Sequence, residues 1–166
     1  MKVSMCQYGR MNSSDSLWLS LEQQAHWRSL LRGTQLLLET LDRDLGKAAD
    51  LGLNEYEVLV RLSEAPDRDM RMSALADAVV HSRSRLTHTV SRMEKKGLVL
   101  RHRADGDRRG VQCQLTDEGY AVLEAAAPYH VRSVRDRLVD VLTEEQLEVL
   151  GQSFATITRA IDASNG

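Results

Sequence analysis

Between residues 82 and 115 the apolar pattern changes period with no linker in between. Leu86, Val90 and Met93 recur at four- and three-residue spacings, the repeat of one helix face. Ser82 offers an oxygen to cap the start of that helix, and Gly97 stops it, with Lys95 and Lys96 in the last turn where cations are favoured. From Val99 the helical repeat is lost. Val99 to Arg103 reads as a short strand, and Val111, Cys113 and Leu115 then alternate with Gln112 and Gln114 at a period of two. Asp105-Gly106 between them is a hairpin signal. Strands this short and few do not build a sheet protein alone. The hairpin has to lean on helices.

The remaining pattern supplies those helices. Ser13, Ser14, Asp15 and Ser16 offer caps before Leu17, and a long helix is predicted to run to about Ala49 with Leu30, Leu37, Leu38, Leu41 and Leu45 on its apolar side. Gly52 breaks it. Asn54 and Glu57 form a capping-box pattern for a second helix ending near Ala65-Pro66. Ser73 caps a short third helix whose Leu75, Ala76 and Val79 face inward, and Val80-His81-Ser82 is a tight turn. Two short helices joined in this way make a helix-turn-helix, and a basic hairpin directly after it is a wing. Thr116 caps a long helix carrying Leu123, Ala127, Val131, Val134, Leu138 and Val141, in which Pro128 is expected to make a kink. Thr143 and Gln146 box the start of a last helix with Leu147, Leu150, Phe154, Ile157 and Ile161 at a 3-4-3-4 repeat, a seam suited to another helix.

The expected fold is therefore mainly α with a small β-wing. Residues 1–16 are read as a flexible leader, 53–115 as a winged helix-turn-helix lobe, and 17–52 with 116–166 as a helical dimerisation region. The terminal helices have no obvious core of their own in a monomer, so the economical arrangement is a two-fold homodimer.

Charge narrows the function. The chain of 166 residues has a net charge of −2, yet nine of its Lys and Arg residues and only three acids fall between His81 and Gly110, giving that stretch +6 and the rest −8. A basic patch on an acidic body is the electrostatic footprint of a DNA-binding module. Seven aromatic rings are too few for a platform that stacks single-stranded bases. No apolar run is long enough to span a bilayer, and the N-terminus lacks the apolar core of a secretory signal. Cys6 and Cys113 form no disulfide framework, which fits a reducing, cytoplasmic setting. No phosphate-binding glycine loop, zinc-protease motif or nucleophile elbow is present, so no enzyme activity and no cofactor are expected.

The chain resembles the MarR family of winged helix-turn-helix regulators. The likeness covers Leu17 to Ile161. Its most specific parts are Ser82-Arg83-Ser84-Arg85-Leu86-Thr87-His88-Thr89-Val90, Glu94-Lys95-Lys96-Gly97-Leu98-Val99, the wing signature Asp107-Arg108-Arg109, and Leu115-Thr116-Asp117-Glu118-Gly119. The resemblance implies an obligate dimer, duplex DNA as partner, and relief of repression by a small ligand or an oxidant. It also implies that Asp107 braces the wing by pairing with a nearby arginine.

The helical period assigns the DNA side. Opposite Leu86, Val90 and Met93 lie Ser84, His88, Ser91, Arg92 and Lys95, with Ser82, Arg83, Arg85 and Thr87 toward the start. Residues in the first half of such a helix reach base edges in the major groove, where Arg pairs with guanine and Ser or Thr serve several bases. Arg92 and Lys95 lie further along, where phosphates are met. Arg108 and Arg109 at the hairpin tip suit the minor groove. The partner is expected to be a pseudo-palindromic operator. A solvated basic face is the plainer alternative, as is a helical module whose hairpin grips an acidic protein.

For an effector, His26, Trp27, Tyr56, Tyr129 and His130 are the candidates. The family places its pocket between the dimer helices and the DNA-binding lobe, and a small aromatic or phenolic ligand would suit it. Packing is the alternative for Trp27 and Tyr56. His26 and His130 have no metal-ligand spacing, so no metal is expected. Some relatives sense peroxide through a cysteine early in the first long helix. None lies there in this chain, and Cys6 beside Tyr8 is the remaining redox candidate, whereas Cys113 reads as a buried inert thiol.

Overall fold

The computed structural model describes residues 17–79, 82–103 and 110–165. Six helices and three short strands follow one another as α1 (Leu21–Ala49), α2 (Leu53–Glu64), a 3-10 turn (Pro66–Arg68), β1 (Asp69–Arg71), α3 (Met72–Ala78), α4 (Arg83–Lys95), β2 (Val99–Arg103), β3 (Val111–Leu115), α5 (Asp117–Val134), a π-helical turn (Arg135–Val139) and α6 (Glu144–Asn165). The chain divides into two units, one ending at Leu36 and the other beginning at Leu37.

In the first unit, α1 starts at Leu21, later than the cluster of Ser and Asp caps before Leu17 predicts. Ser20 and Gln23 make the capping box instead: the Gln23 amide donates to Ser20 Oγ at 3.1 Å, and Gln23 Oε1 accepts from the Ser20 amide at 2.8 Å. This reciprocal pair satisfies two backbone donors at once, more than a lone upstream serine can. Leu21, Trp27, Leu31 and Leu36 are all exposed in this unit.

The second unit holds the core. Leu45, Leu51, Val58, Leu59, Leu62, Leu75, Leu86, Val90, Met93 and Cys113 are fully buried, each large aliphatic side chain contributing about 1.5–3 kcal/mol by its removal from water. The face of α4 predicted from its period is the buried one, with Thr89 added between Leu86 and Val90. Ser82 Oγ accepts from the Arg85 amide at 3.3 Å, as the sequence predicts. Gly97 takes φ +75°, the left-handed conformation that ends α4 without a side-chain penalty. The two predicted strands also form at their predicted bounds.

Two local expectations are corrected. The N-cap of α2 is Gly52, not Asn54: Glu55 Oε2 accepts from the Gly52 amide at 3.1 Å, and Asp42 Oδ1 reaches across from α1 to accept from the Leu53 amide at 2.8 Å. Tertiary contact supplies the cap that the local Asn54/Glu57 spacing only imitates. Helix α3 opens at Met72 after Arg71, with no side-chain cap from Ser73. Helix α5 continues through Pro128 to Val134 and leads into the π-helical turn.

A third strand, β1, joins the hairpin. The sheet order is β1-β3-β2, all antiparallel, with Met70 opposite Cys113 and Arg101 opposite Cys113 on the other side. The wing is thus stitched to the segment before α3 and not only to α4. Thr116 Oγ1 caps α5 by accepting from the Gly119 amide at 3.0 Å and donates to the Gly97 carbonyl at 2.7 Å, so one hydroxyl ties α5 to the end of α4.

Candidate nucleic-acid interface

Burying Leu86, Thr89, Val90 and Met93 forces the opposite side of α4 outward. Ser82, Arg83, Ser84, Arg85, Thr87, His88, Arg92 and Lys95 are exposed, and Ser91 is half-buried. Thr87 Oγ1 donates to the Arg83 carbonyl at 2.8 Å, which keeps its hydroxyl close to the helix surface. The structure therefore gathers all nine of the sequence-predicted α4 residues on one helix with an exposed, basic face. Asp107, Arg108 and Arg109, expected from the sequence at the hairpin tip, lie outside the described residues.

Two acidic residues absent from the predicted DNA contacts fix this helix to its surroundings. Glu94 grips Arg101 of β2: its Oε2 accepts from Arg101 Nη2 at 2.6 Å and Nε at 3.1 Å, and its Oε1 accepts from the Arg101 amide at 3.2 Å. The Arg101 guanidinium holds the Glu94 carboxyl below its ordinary range. The second is Glu55, whose side chain is 6% exposed and faces Arg92 Nε at 3.4 Å and Lys96 Nζ at 3.8 Å. Lys96 also donates to the Asp50 carbonyl at 3.0 Å. The pairing signal for Glu94 was present as an opposite charge seven residues on, across the turn into β2. Glu55 carried no such signal, because a charged residue is expected at the surface.

The base of the wing has a polar latch of its own. His102 on β2 meets Asp69 of β1 at 3.1 Å, spanning β3. On the inward side Cys113 is fully buried, and burial pushes its thiol up to about 12. That thiol is protonated and inert at ordinary pH.

The effector candidates separate. Tyr56 of α2 is buried and its ring lies 4.5 Å from that of His130 of α5, tilted by 40°. Burial raises the Tyr56 phenol and lowers the His130 imidazole, and His130 Nδ1 is buried without a hydrogen-bond partner. Tyr129 points away, 57% exposed. In the first unit, Trp27 is 50% exposed and His26 sits 3.7 Å from Glu22 one turn earlier on α1. Among the described residues, no three His, Cys, Asp or Glu side chains come together to hold a metal. None of the described helices is long and apolar enough to cross a membrane.

Helices α3 and α4 in succession, the second basic and exposed, followed by the β2–β3 hairpin that pairs back onto β1, define a DNA-binding transcriptional regulator of the winged helix type. The comparisons with known proteins give the family. The model of the MarR family matches residues 51–111. The regulator PecS of Dickeya dadantii (strain 3937) is 33% identical over 120 residues, 71% of each chain. Among solved structures, the MarR family regulator Sco3205 of Streptomyces coelicolor, solved in complex with DNA, superposes with a TM-score of 0.84 at 42% identity over 87% of this chain and 94% of that one. AbsC, a MarR family regulator of the same organism, superposes at 0.83 with 38% identity over 89% and 99%. The chain belongs to the MarR family, whose members are DNA-binding transcriptional regulators and not enzymes.

Proposed function

We propose that the protein is a cytoplasmic homodimeric repressor that reads a pseudo-palindromic operator with α4 and releases it when a small ligand binds. The observation that carries this reading is the exposed basic face of α4 over its fully buried apolar face. Arg83, Ser84, Arg85, Thr87 and His88 are assigned to base edges and Ser82, Ser91, Arg92 and Lys95 to the backbone. Arg108 and Arg109 are assigned to the adjacent minor groove, with Asp107 bracing the wing. Residues 53–115 serve as the DNA-binding lobe, and 17–52 with 116–166 as the dimerisation region. The exposed stripe of Phe154, Ile157 and Ile161 on α6 supports a second copy as partner. Two copies bring two α4 helices to half-sites about 34 Å apart.

For the ligand, the unpartnered His130 Nδ1 beside the Tyr56 ring supports a small aromatic or phenolic molecule. The ligand shifts the protein away from its DNA-binding geometry only by its difference in affinity for the two states.

The test is a gel shift with the DNA upstream of the protein's own gene, at near-physiological salt, with excess unrelated duplex. The reading expects a discrete band that resists the competitor and fades with the effector. A band that disappears with competitor, together with no site in a genome-wide selection of bound fragments, would overturn it in favour of an acidic protein partner.

A further inference from the structure

We propose that Glu55 is a positioning residue for DNA binding: it holds Arg92 by Nε and so aims the rest of the guanidinium at a DNA phosphate. This rests on the reading of α4 as the recognition helix. The two partners differ sharply in exposure, 63% for the Arg92 side chain and 6% for that of Glu55. The anion is hidden and the cation is presented, so the pair offers positive charge outward in spite of being an ion pair. The contact uses Arg92 Nε at 3.4 Å. A guanidinium is a rigid planar fork, and a contact at Nε leaves both amino groups to point outward. Arg92 also falls four residues after His88 and eight after Ser84, on the stripe opposite the buried face.

Glu55 is itself held firmly enough to do this. Its Oε2 accepts from the Gly52 amide at 3.1 Å at the start of α2 and lies 3.8 Å from Lys96 Nζ. Lys96 in turn is tied to the Asp50 carbonyl in the α1–α2 connection. A free surface arginine gives up rotamer freedom when it meets a phosphate, and one already held by a buried carboxylate gives up less. Glu55 touches no DNA in this account and acts through Arg92.

The experiment is a double-mutant cycle of Glu55→Gln and Arg92→Ala, read as affinity and salt slope for a duplex selected by the wild-type protein from a randomised library. Arg92→Ala is expected to reduce the slope of log K against log salt by about 0.9, the loss of one phosphate contact. Glu55→Gln is expected to weaken binding on the order of fivefold in the wild-type background and less than about twofold beside Arg92→Ala, the coupling that marks one acting through the other. Arg92→Lys, which keeps the charge and loses the fork, should retain the slope and lose affinity. It also carries the test should Glu55→Gln unfold, as thermal melting would show. An unchanged slope in Arg92→Ala, equal losses from Glu55→Gln in both backgrounds, or tighter binding by Glu55→Gln would each overturn the proposal. Arg85→Ala separates this from the underlying reading. If it abolishes selection while the cycle shows no coupling, only the role of Glu55 fails; if neither arginine affects binding, the assignment of α4 fails with it.

Discussion

Glu94 on α4 and Arg101 on β2 are joined by three hydrogen bonds, two to side-chain nitrogens and one to the Arg101 amide. These bonds tie the last turn of α4 to the first strand of the hairpin. The link also places a depressed carboxylate where it makes stability depend on acid.

The acid limb of stability should carry three signatures. The Glu94 carboxyl is held low by Arg101, and that of Asp44 by the Ser133 hydroxyl at 2.7 Å and by Arg137. Both then stabilise the fold above the unfolded carboxylate values of about 4, and the contribution is lost as pH falls through their lower folded values. His130 is depressed by burial, so its neutral form is favoured in the fold and stability begins to fall below its unfolded value of about 6.5. Thermal midpoints measured from pH 7 to pH 3 should show that Glu94→Gln and Asp44→Asn lose their deficit against wild type at the acid end. His130→Gln should flatten the curve between about pH 7 and 5 instead. Parallel curves for all variants would contradict this.

Gly119→Ala should destabilise the protein. A Cβ there would overlap the Leu98 carbonyl oxygen and press on Leu115 Cδ1, so α5 would have to back away from the end of α4. Such overpacking against backbone costs about 1–3 kcal/mol, read as a lower denaturant midpoint with an unchanged slope. Equal stability would mean that α5 does not pack this closely.

Cys113 should resist thiol reagents in the native protein. It is fully buried with its thiol raised to about 12. In a Cys6→Ser background, intact mass after treatment with iodoacetamide at pH 8 should be unchanged, and one adduct should appear on unfolding. Rapid native labelling would contradict the burial of this thiol.

Lys95→Ala should weaken binding to all duplexes alike and lower the salt slope by about 0.9. Lys95 is exposed at the end of α4, beyond the residues assigned to base edges. A loss confined to the selected duplex would instead make Lys95 a base reader.

Much of this was legible in the sequence where the determinants are local. Ser82, Gly97, Thr116 and the Thr143/Gln146 box act within a few residues of themselves, and all four do what their spacing predicts. The buried face of α4 followed from Leu86, Val90 and Met93 for the same reason. What escaped depends on partners far along the chain. Three residues, Asp69 to Arg71, are too few to show a period of two, and β1 exists because β3 pairs with it. At the start of α2 the Leu53 amide donates to Asp42, eleven residues earlier, a partner no local spacing shows. Glu55 looked like one more surface acid until α2 and α4 closed over it. The effector candidates show the same limit: Tyr56 and His130 meet, but Tyr129, one residue away, faces solvent.

Whether α4 reads DNA sequence is decided by selecting bound duplexes from a randomised library. Wild-type protein should enrich a two-fold motif with half-sites about 34 Å apart, and Arg85→Ala should lose preference at one position in each half-site by about 1–3 kcal/mol. Enrichment of no motif, or of the same motif at the same strength by Arg85→Ala and Arg83→Ala, would contradict it.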